Sequence, residues 1–147
     1  MSLEEKNKAT IRKGIEAVNE RNLALLDELM ASDFFDHTLQ TRGLEGAKQF
    51  YALFFKGFPD FQMAIEDIVA EGDKVWVRIT FKATHTGEWM GITPTGKKVK
   101  TEMVDIFRIV NGKLVEYWKV NSNLDFLKEI SLIEYIKKGK KLFPEDA

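Results

Sequence analysis

The 147-residue sequence contains no cysteine, only two histidines and only three prolines. Without cysteine there can be no disulfide, no Cys-ligated zinc, no iron–sulfur cluster and no thiol nucleophile. With His37 and His85 as the only imidazoles, and no His-Glu spacing of the kind that pairs metal ligands on a helix or hairpin, no metal is expected. Surplus charge is missing too. Twenty-two Lys and Arg oppose 23 Asp and Glu, so the chain lacks the basic excess that draws proteins to phosphate backbones or anionic lipid, and neither nucleic acid nor membrane is an expected partner. No apolar run approaches the roughly 18 residues of a membrane span, and the opening Met-Ser-Leu-Glu-Glu-Lys has no apolar signal core, so the expected location is the cytoplasm.

What is present is ordinary globular composition: 44% hydrophobic and 31% charged residues, in a length that suits a single domain and can bury one core. No linker, repeat or low-complexity stretch divides residues 1–147. The basic run Lys137-Lys-Gly-Lys-Lys141 reads as a solvated helix end.

The periodicity changes once along the chain. Ser2 and Glu5 have capping-box spacing, and Ile11, Ile15 and Val18 continue at helical intervals to about Glu20. Leu23, Leu26, Leu29 and Met30 predict a second, short helix after a possible Asn22 cap. A third covers about Leu44 to Lys56, with Ala47, Phe50, Tyr51, Phe54 and Phe55 on its apolar face, and stops at Gly57-Phe-Pro59. All three precede the first predicted strand. From Phe61 the apolar period becomes two: Phe61, Met63 and Ile65, then Val75, Val77, Ile79 and Phe81 beyond the Glu71-Gly-Asp73 turn. Residues 99–110 and 113–121 form two more strands joined at Asn111-Gly112, a pair suited to a type I′ turn, in which both central residues need positive φ. Leu124, Phe126, Leu127, Ile130 and Ile133 suggest a closing helix. Helices followed by antiparallel strands predict an α+β fold: a curved sheet wrapped around helices, with a hollow at one end where a small ligand can bind.

Three segments share an order and spacing: Ala83-Thr-His-Thr-Gly-Glu-Trp-Met-Gly-Ile-Thr-Pro-Thr-Gly-Lys97, Val104-Asp-Ile-Phe-Arg-Ile109, and Gly112-Lys-Leu-Val-Glu-Tyr-Trp118. Together with Asp36-His37, Gly43-Leu-Glu-Gly46, Phe58-Pro-Asp60 and Ala70-Glu-Gly-Asp73, they make the sequence over about residues 10–132 resemble the SnoaL-like polyketide cyclases. The resemblance implies a cone-shaped fold like that of nuclear transport factor 2, usually dimeric, with a deep apolar pocket and no metal or organic cofactor. It also implies cofactor-free aldol chemistry, in which a carboxyl group of raised pKa moves protons in an apolar pocket. The family's acid/base aspartate lies four residues after a tryptophan preceded by histidine. Counting from Trp118, that position is Ser122, and the histidine position is Tyr117. A serine hydroxyl needs another base before it can act as one, which leaves Asp105 and Glu116 as carboxylate candidates.

Strand alternation puts Glu116, Trp118, Val120 and Ser122 on one face and Tyr117, Lys119 and Asn121 on the other, with Met103, Asp105 and Phe107 sharing a face of the neighbouring strand. Aspartate is disfavoured inside strands, so Asp105 has a reason to be there: an ion pair with Arg78 or Arg108, or catalysis. The expected catalytic groups are His37, His85 and Asp105. The expected ligand wall is Tyr51, Phe55, Trp76, Trp89, Phe107, Glu116, Trp118 and Ser122, around a small hydrophobic carbonyl compound. Trp89, Met90 and Ile92 form an apolar loop that would serve as a lid or as a dimer contact. Two functions remain open: an acid–base enzyme, or a binder of small hydrophobic molecules that does not turn them over.

Overall fold

A computed structural model describes residues 1–121, 126, 127 and 130. The predicted closing helix and the basic tail therefore lie mostly outside the described residues, with Phe126 and Leu127 helical. Helix α1 spans Leu3–Asn19, with Ser2 Oγ accepting the Glu5 backbone N–H at 3.1 Å as the capping box requires. Its buried stripe is Ile11, Ile15 and Val18. The Asn19 side chain ties the end of α1 to the sheet, donating to the Met63 carbonyl at 2.9 Å and accepting the Met63 N–H at 2.8 Å. The second helix is shorter than predicted: a 3-10 turn, Leu23–Leu25, runs into the one-turn α2, Leu26–Leu29, and Asn22 makes no side-chain cap. Helix α3 covers Leu44–Gly57.

The six strands are β1 (Met30–Asp36), β2 (Thr41–Arg42), β3 (Gln62–Glu71), β4 (Lys74–Thr84), β5 (Lys98–Val110) and β6 (Lys113–Asn121), in the order β2-β1-β6-β5-β4-β3. The hairpin between β5 and β6 turns at Asn111 and Gly112, with φ of 51° and 76°, as a type I′ turn needs. Two features depart from the sequence expectation. A strand, β1, precedes α3, and it pairs in parallel with β6, so the sheet is mixed rather than wholly antiparallel. The segment Met30-Ala-Ser-Asp-Phe-Phe-Asp36 carries two aspartates and a serine, residues with poor strand propensity, and its pairing with β6 overrides that local preference.

The curved, unclosed sheet turns one face to the helices. Val75, Val77, Ile79, Phe81 and Ala83 of β4 and Val99 and Met103 of β5 are buried there, against Ile11, Val18, Leu26, Phe54 and Phe58. On the outer face Trp76 is 51% exposed. The loop after β4 is fastened to the end of α3, because Thr86 and Gly87 both donate to the Gly57 carbonyl, at 3.2 and 3.0 Å. Glycine is required at position 87: a Cβ there would lie 1.8 Å from the Lys56 carbonyl oxygen.

Candidate functional site

Between the helices and the sheet lies a cavity of about 390 Å³. Ile11, Ile15 and Val18 of α1, Leu26 and Leu29, and Phe61, Met63 and Phe81 make one side of it apolar. The opposite side, from β1, α3, β5 and β6, carries Asp36, Tyr51, Asp105, Tyr117, Lys119 and Asn121. Thr38, Leu39 and Met90 line it and are also solvent-exposed, which marks the open end.

A β-bulge decides which side chains of β6 enter this space. Ile109 pairs with Leu114 but Arg108 pairs with Glu116, so β6 holds one extra residue, Val115, at that point. Leu114 points inward and is buried. Unbroken alternation from it would turn Glu116 and Trp118 inward; the extra residue shifts the parity, and Tyr117, Lys119 and Asn121 line the cavity instead. Across the ladder they meet Phe107, Asp105 and Met103 respectively.

Asp105 is 5% exposed, and Tyr117 donates its hydroxyl to Asp105 Oδ1 at 2.9 Å. Burial raises the Asp105 pKa above the usual carboxylate range, because desolvation penalises the charged form more than the Lys119 charge and the Tyr117 hydrogen bond favour it. Burial and the adjacent Asp105 charge push the Tyr117 phenol well above its ordinary value, and Tyr51 is raised by burial and by the charges of Asp105 and Asp36. Asp36 is also buried, with Oδ1 accepting the backbone N–H groups of Thr38 at 2.8 Å and Leu39 at 3.0 Å. The result is a carboxyl held by a phenol, beside one ammonium and a second buried carboxyl, Asp36, facing a largely apolar wall. Such an environment favours the protonated form of a carboxyl group and suits it to proton transfer.

Of the residues expected from the sequence, Asp105, Tyr51, Trp89 and Phe107 line the cavity. Phe55 sits beneath the Arg21 guanidinium, 4.2 Å from its ring centroid, and does not line it. Trp76, Glu116 and Trp118 are also absent from its wall, and Ser122 lies outside the described residues. His37 belongs to a different cluster. Its Nε2 hydrogen-bonds Glu116 Oε2 at 2.8 Å, its ring stacks on Trp118 with centroids 4.6 Å apart, and Arg108 Nε donates to Glu116 Oε1 at 2.6 Å. The hydrogen bond from His37, followed by that from Arg108, lowers the Glu116 pKa, so this carboxylate is a partner in an ion network. His37, Arg108, Glu116, Phe35, Asp33 and Arg42 border a separate, open depression.

His85 is fully buried and stands behind the cavity wall. Its Nδ1 accepts the Thr95 backbone N–H at 3.3 Å and lies 2.9 Å from the Thr95 hydroxyl. Nδ1 is therefore the unprotonated nitrogen and the proton sits on Nε2, which has no hydrogen-bond partner among the described residues. Burial lowers the His85 pKa, and the ring stacks on Phe58 at 5.2 Å. This neutral imidazole braces the loop from 85 to 97, which sets Trp89 over the cavity.

Sequence reasoning missed Asp36, Tyr117 and Lys119 as cavity residues. Asp36 carried a signal, because Phe34 and Asp36 alternate with Phe35 and His37, but only as part of a strand that was not expected. Tyr117 and Lys119 required knowledge of the bulge. Among the described residues, no group of three His, Asp or Glu comes together as a metal site.

A family model of the SnoaL-like polyketide cyclases matches residues 8–130. The chain belongs to this family. Solved structures agree: AclR from Streptomyces galilaeus, provisionally described as a hydroxylase, is 30% identical, with 91% of this chain and 86% of AclR covered and a TM-score of 0.79. IdmH from Streptomyces antibioticus, provisionally described as a polyketide cyclase, is 31% identical over 84% of this chain and 97% of its own, with a TM-score of 0.76. A Jannaschia sp. CCS1 protein, provisionally described as a SnoaL-like polyketide cyclase, is 25% identical over 91% and 97%, with a TM-score of 0.81. No curated protein matches the chain. Among the described residues, no helix is long and apolar enough to cross a membrane.

Proposed function

We propose that this chain is an acid–base enzyme that acts without a cofactor on a small, largely apolar carbonyl compound, with Asp105 as the proton-transfer group. The observation that carries this reading is the buried Asp105 carboxyl in an apolar chamber, hydrogen-bonded by Tyr117. In the cycle, the Asp105 carboxylate takes a proton from the carbon next to the substrate carbonyl: a C–H bond breaks, an O–H bond forms, and the electron pair moves to the carbonyl oxygen as an enolate. The Lys119 ammonium lies on the same wall and favours that developing charge, while the Tyr117 hydroxyl holds the Asp105 carboxyl in place. The enolate carbon then attacks a second carbonyl, and Asp105 returns its proton to the new alkoxide. His85 has a positioning role through the loop that carries Trp89, and His37 a structural one through Glu116. The exposed Trp76 and Val120 are proposed to face a second copy of the chain in a homodimer, and the chain is proposed to work in the cytoplasm.

A second reading is favoured by one observation, the serine at position 122 where the family's acid/base aspartate belongs: a binding protein of the same fold that leaves its ligand unchanged. Mass spectrometry of the ligand retained from cell extract, followed by incubation with wild type and Asp105→Asn, separates the two. Conversion by wild type alone is expected. An unchanged ligand in both would support binding only.

A further inference from the structure

Lys119 is the only cation lining the cavity among the described residues. Its ammonium stands between two rings, with Nζ 5.8 Å from the centroid of Phe50 and 5.7 Å from that of Tyr117. It makes no ion pair within 4.0 Å among the described residues, in contrast to Lys8 and Lys48, which pair with Glu5 and Asp27. A half-buried ammonium on an apolar wall keeps only part of its hydration, and contact with aromatic faces offsets only part of what is lost. Its neighbours do not complete it. Asp36 has Oδ1 committed to two backbone N–H groups. Asp105, directly opposite Lys119 in the β5–β6 ladder, accepts from Tyr117 and makes no ion pair with the Lys119 ammonium within 4.0 Å. The open side of the group is the cavity.

We propose that the ligand of this cavity carries an anionic oxygen group, such as a carboxylate, held by Lys119 beside the atom on which Asp105 acts. The proposal rests on the reading of this cavity as the ligand site. The Lys119 Nζ lies 5.7 Å from the centroid of the Tyr117 ring whose hydroxyl donates to Asp105, so the anionic oxygen and the reacting carbon lie close to each other in the ligand. The ligand is then amphipathic: its oxygens face β5 and β6 and its hydrocarbon body faces α1, where Ile11, Ile15 and Val18 line the wall. This makes Lys119 a specificity residue that rejects neutral analogues of the same shape, because they leave the ammonium without a counter-charge.

The test uses 2-naphthoate and 2-naphthamide, two probes of one shape that differ in charge, in calorimetric titrations of wild type, Lys119→Met, Lys119→Gln and Lys119→Arg. Wild type is expected to bind the carboxylate about tenfold or more tighter than the amide. In Lys119→Met the difference should vanish while the affinity for the amide stays within about twofold, and Lys119→Arg should keep most of the preference because it keeps the charge. Lys119→Gln repeats the neutral variant should the methionine protein lose its thermal transition. Equal affinities in wild type, or a preference that survives in both neutral variants, would overturn the role of Lys119 and leave the cavity as a ligand site. Failure of both probes to bind wild type would overturn the ligand-site reading together with this one.

Discussion

Asp105→Asn is expected to reduce deuterium incorporation at the activated carbon of a model keto-ester by about 10²- to 10⁴-fold, the range typical of a lost general base. The substitution is nearly isosteric. The Asn oxygen still accepts the Tyr117 hydroxyl that now lies 2.9 Å from Asp105, so the cavity keeps its shape and the loss is chemical. Thermal stability should move the other way. Because burial raises the Asp105 pKa in the folded chain, this group favours folding most at pH values below its unfolded pKa, and that contribution disappears as pH rises through the folded value. Near neutrality the aspartate is then a liability to the fold, and Asp105→Asn should melt at the same temperature as wild type or higher. Lost exchange with unchanged or raised Tm separates a functional carboxyl from a structural one. Lost exchange with a lowered Tm would point to a structural role.

Phe58→Ala should cost about 3–5 kcal/mol, the usual range for emptying a large aromatic site in a core. Phe58 has no exposed surface and packs against several elements at once: its ring centroid lies 4.7 Å from that of Phe54 of α3, 5.2 Å from His85, 5.9 Å from Trp89 and 5.5 Å from Phe126. Removing it leaves the buried His85 ring without its stacking partner and takes one of two rings, the other being Phe54, from against Trp89. For a domain of this size the loss corresponds to a fall in Tm of about 10 °C or more. Thermal denaturation followed by circular dichroism checks it. A fall of only a few degrees would mean that the site collapses around the smaller side chain.

Much of the fold was legible because local signals agreed with the tertiary arrangement. The Ser2 cap, the Asn111-Gly112 turn and the alternation from Val75 to Ala83 each describe a short-range geometry that the sheet and helices then use unchanged. Strand β1 was not legible: its polar residues argue for a loop, and pairing with β2 and with β6, some 80 residues later in the chain, makes it a strand. The site was half legible. Asp105 stood out as an aspartate inside a strand, and Tyr51, Trp89 and Phe107 line the same cavity. The face of β6 was read the wrong way round because the large apolar Trp118 looks like an inward residue, whereas the extra residue at Val115 turns it outward against His37. A one-residue change of register exchanges every side chain between the two faces of a strand, and nothing in the run Leu114-Val-Glu-Tyr-Trp118 announces the bulge. His85 illustrates the converse. Histidine types attract catalytic readings, yet the Thr95 N–H fixes this one as a neutral brace.

The central claim is that Asp105 is a proton-transfer carboxyl created by burial in the cavity. Carbon-13 NMR titration of the Asp105 side-chain carboxyl, with the signal assigned by its loss in Asp105→Asn, measures this directly. The account predicts a midpoint clearly above the value of about 3.9 for an unperturbed aspartate, moving lower when Phe107 or Met103 is replaced by a polar residue that admits water. A midpoint at or below about 3.9 would show a carboxylate stabilised in its charged form, and would contradict the assignment of Asp105 as the acid–base group.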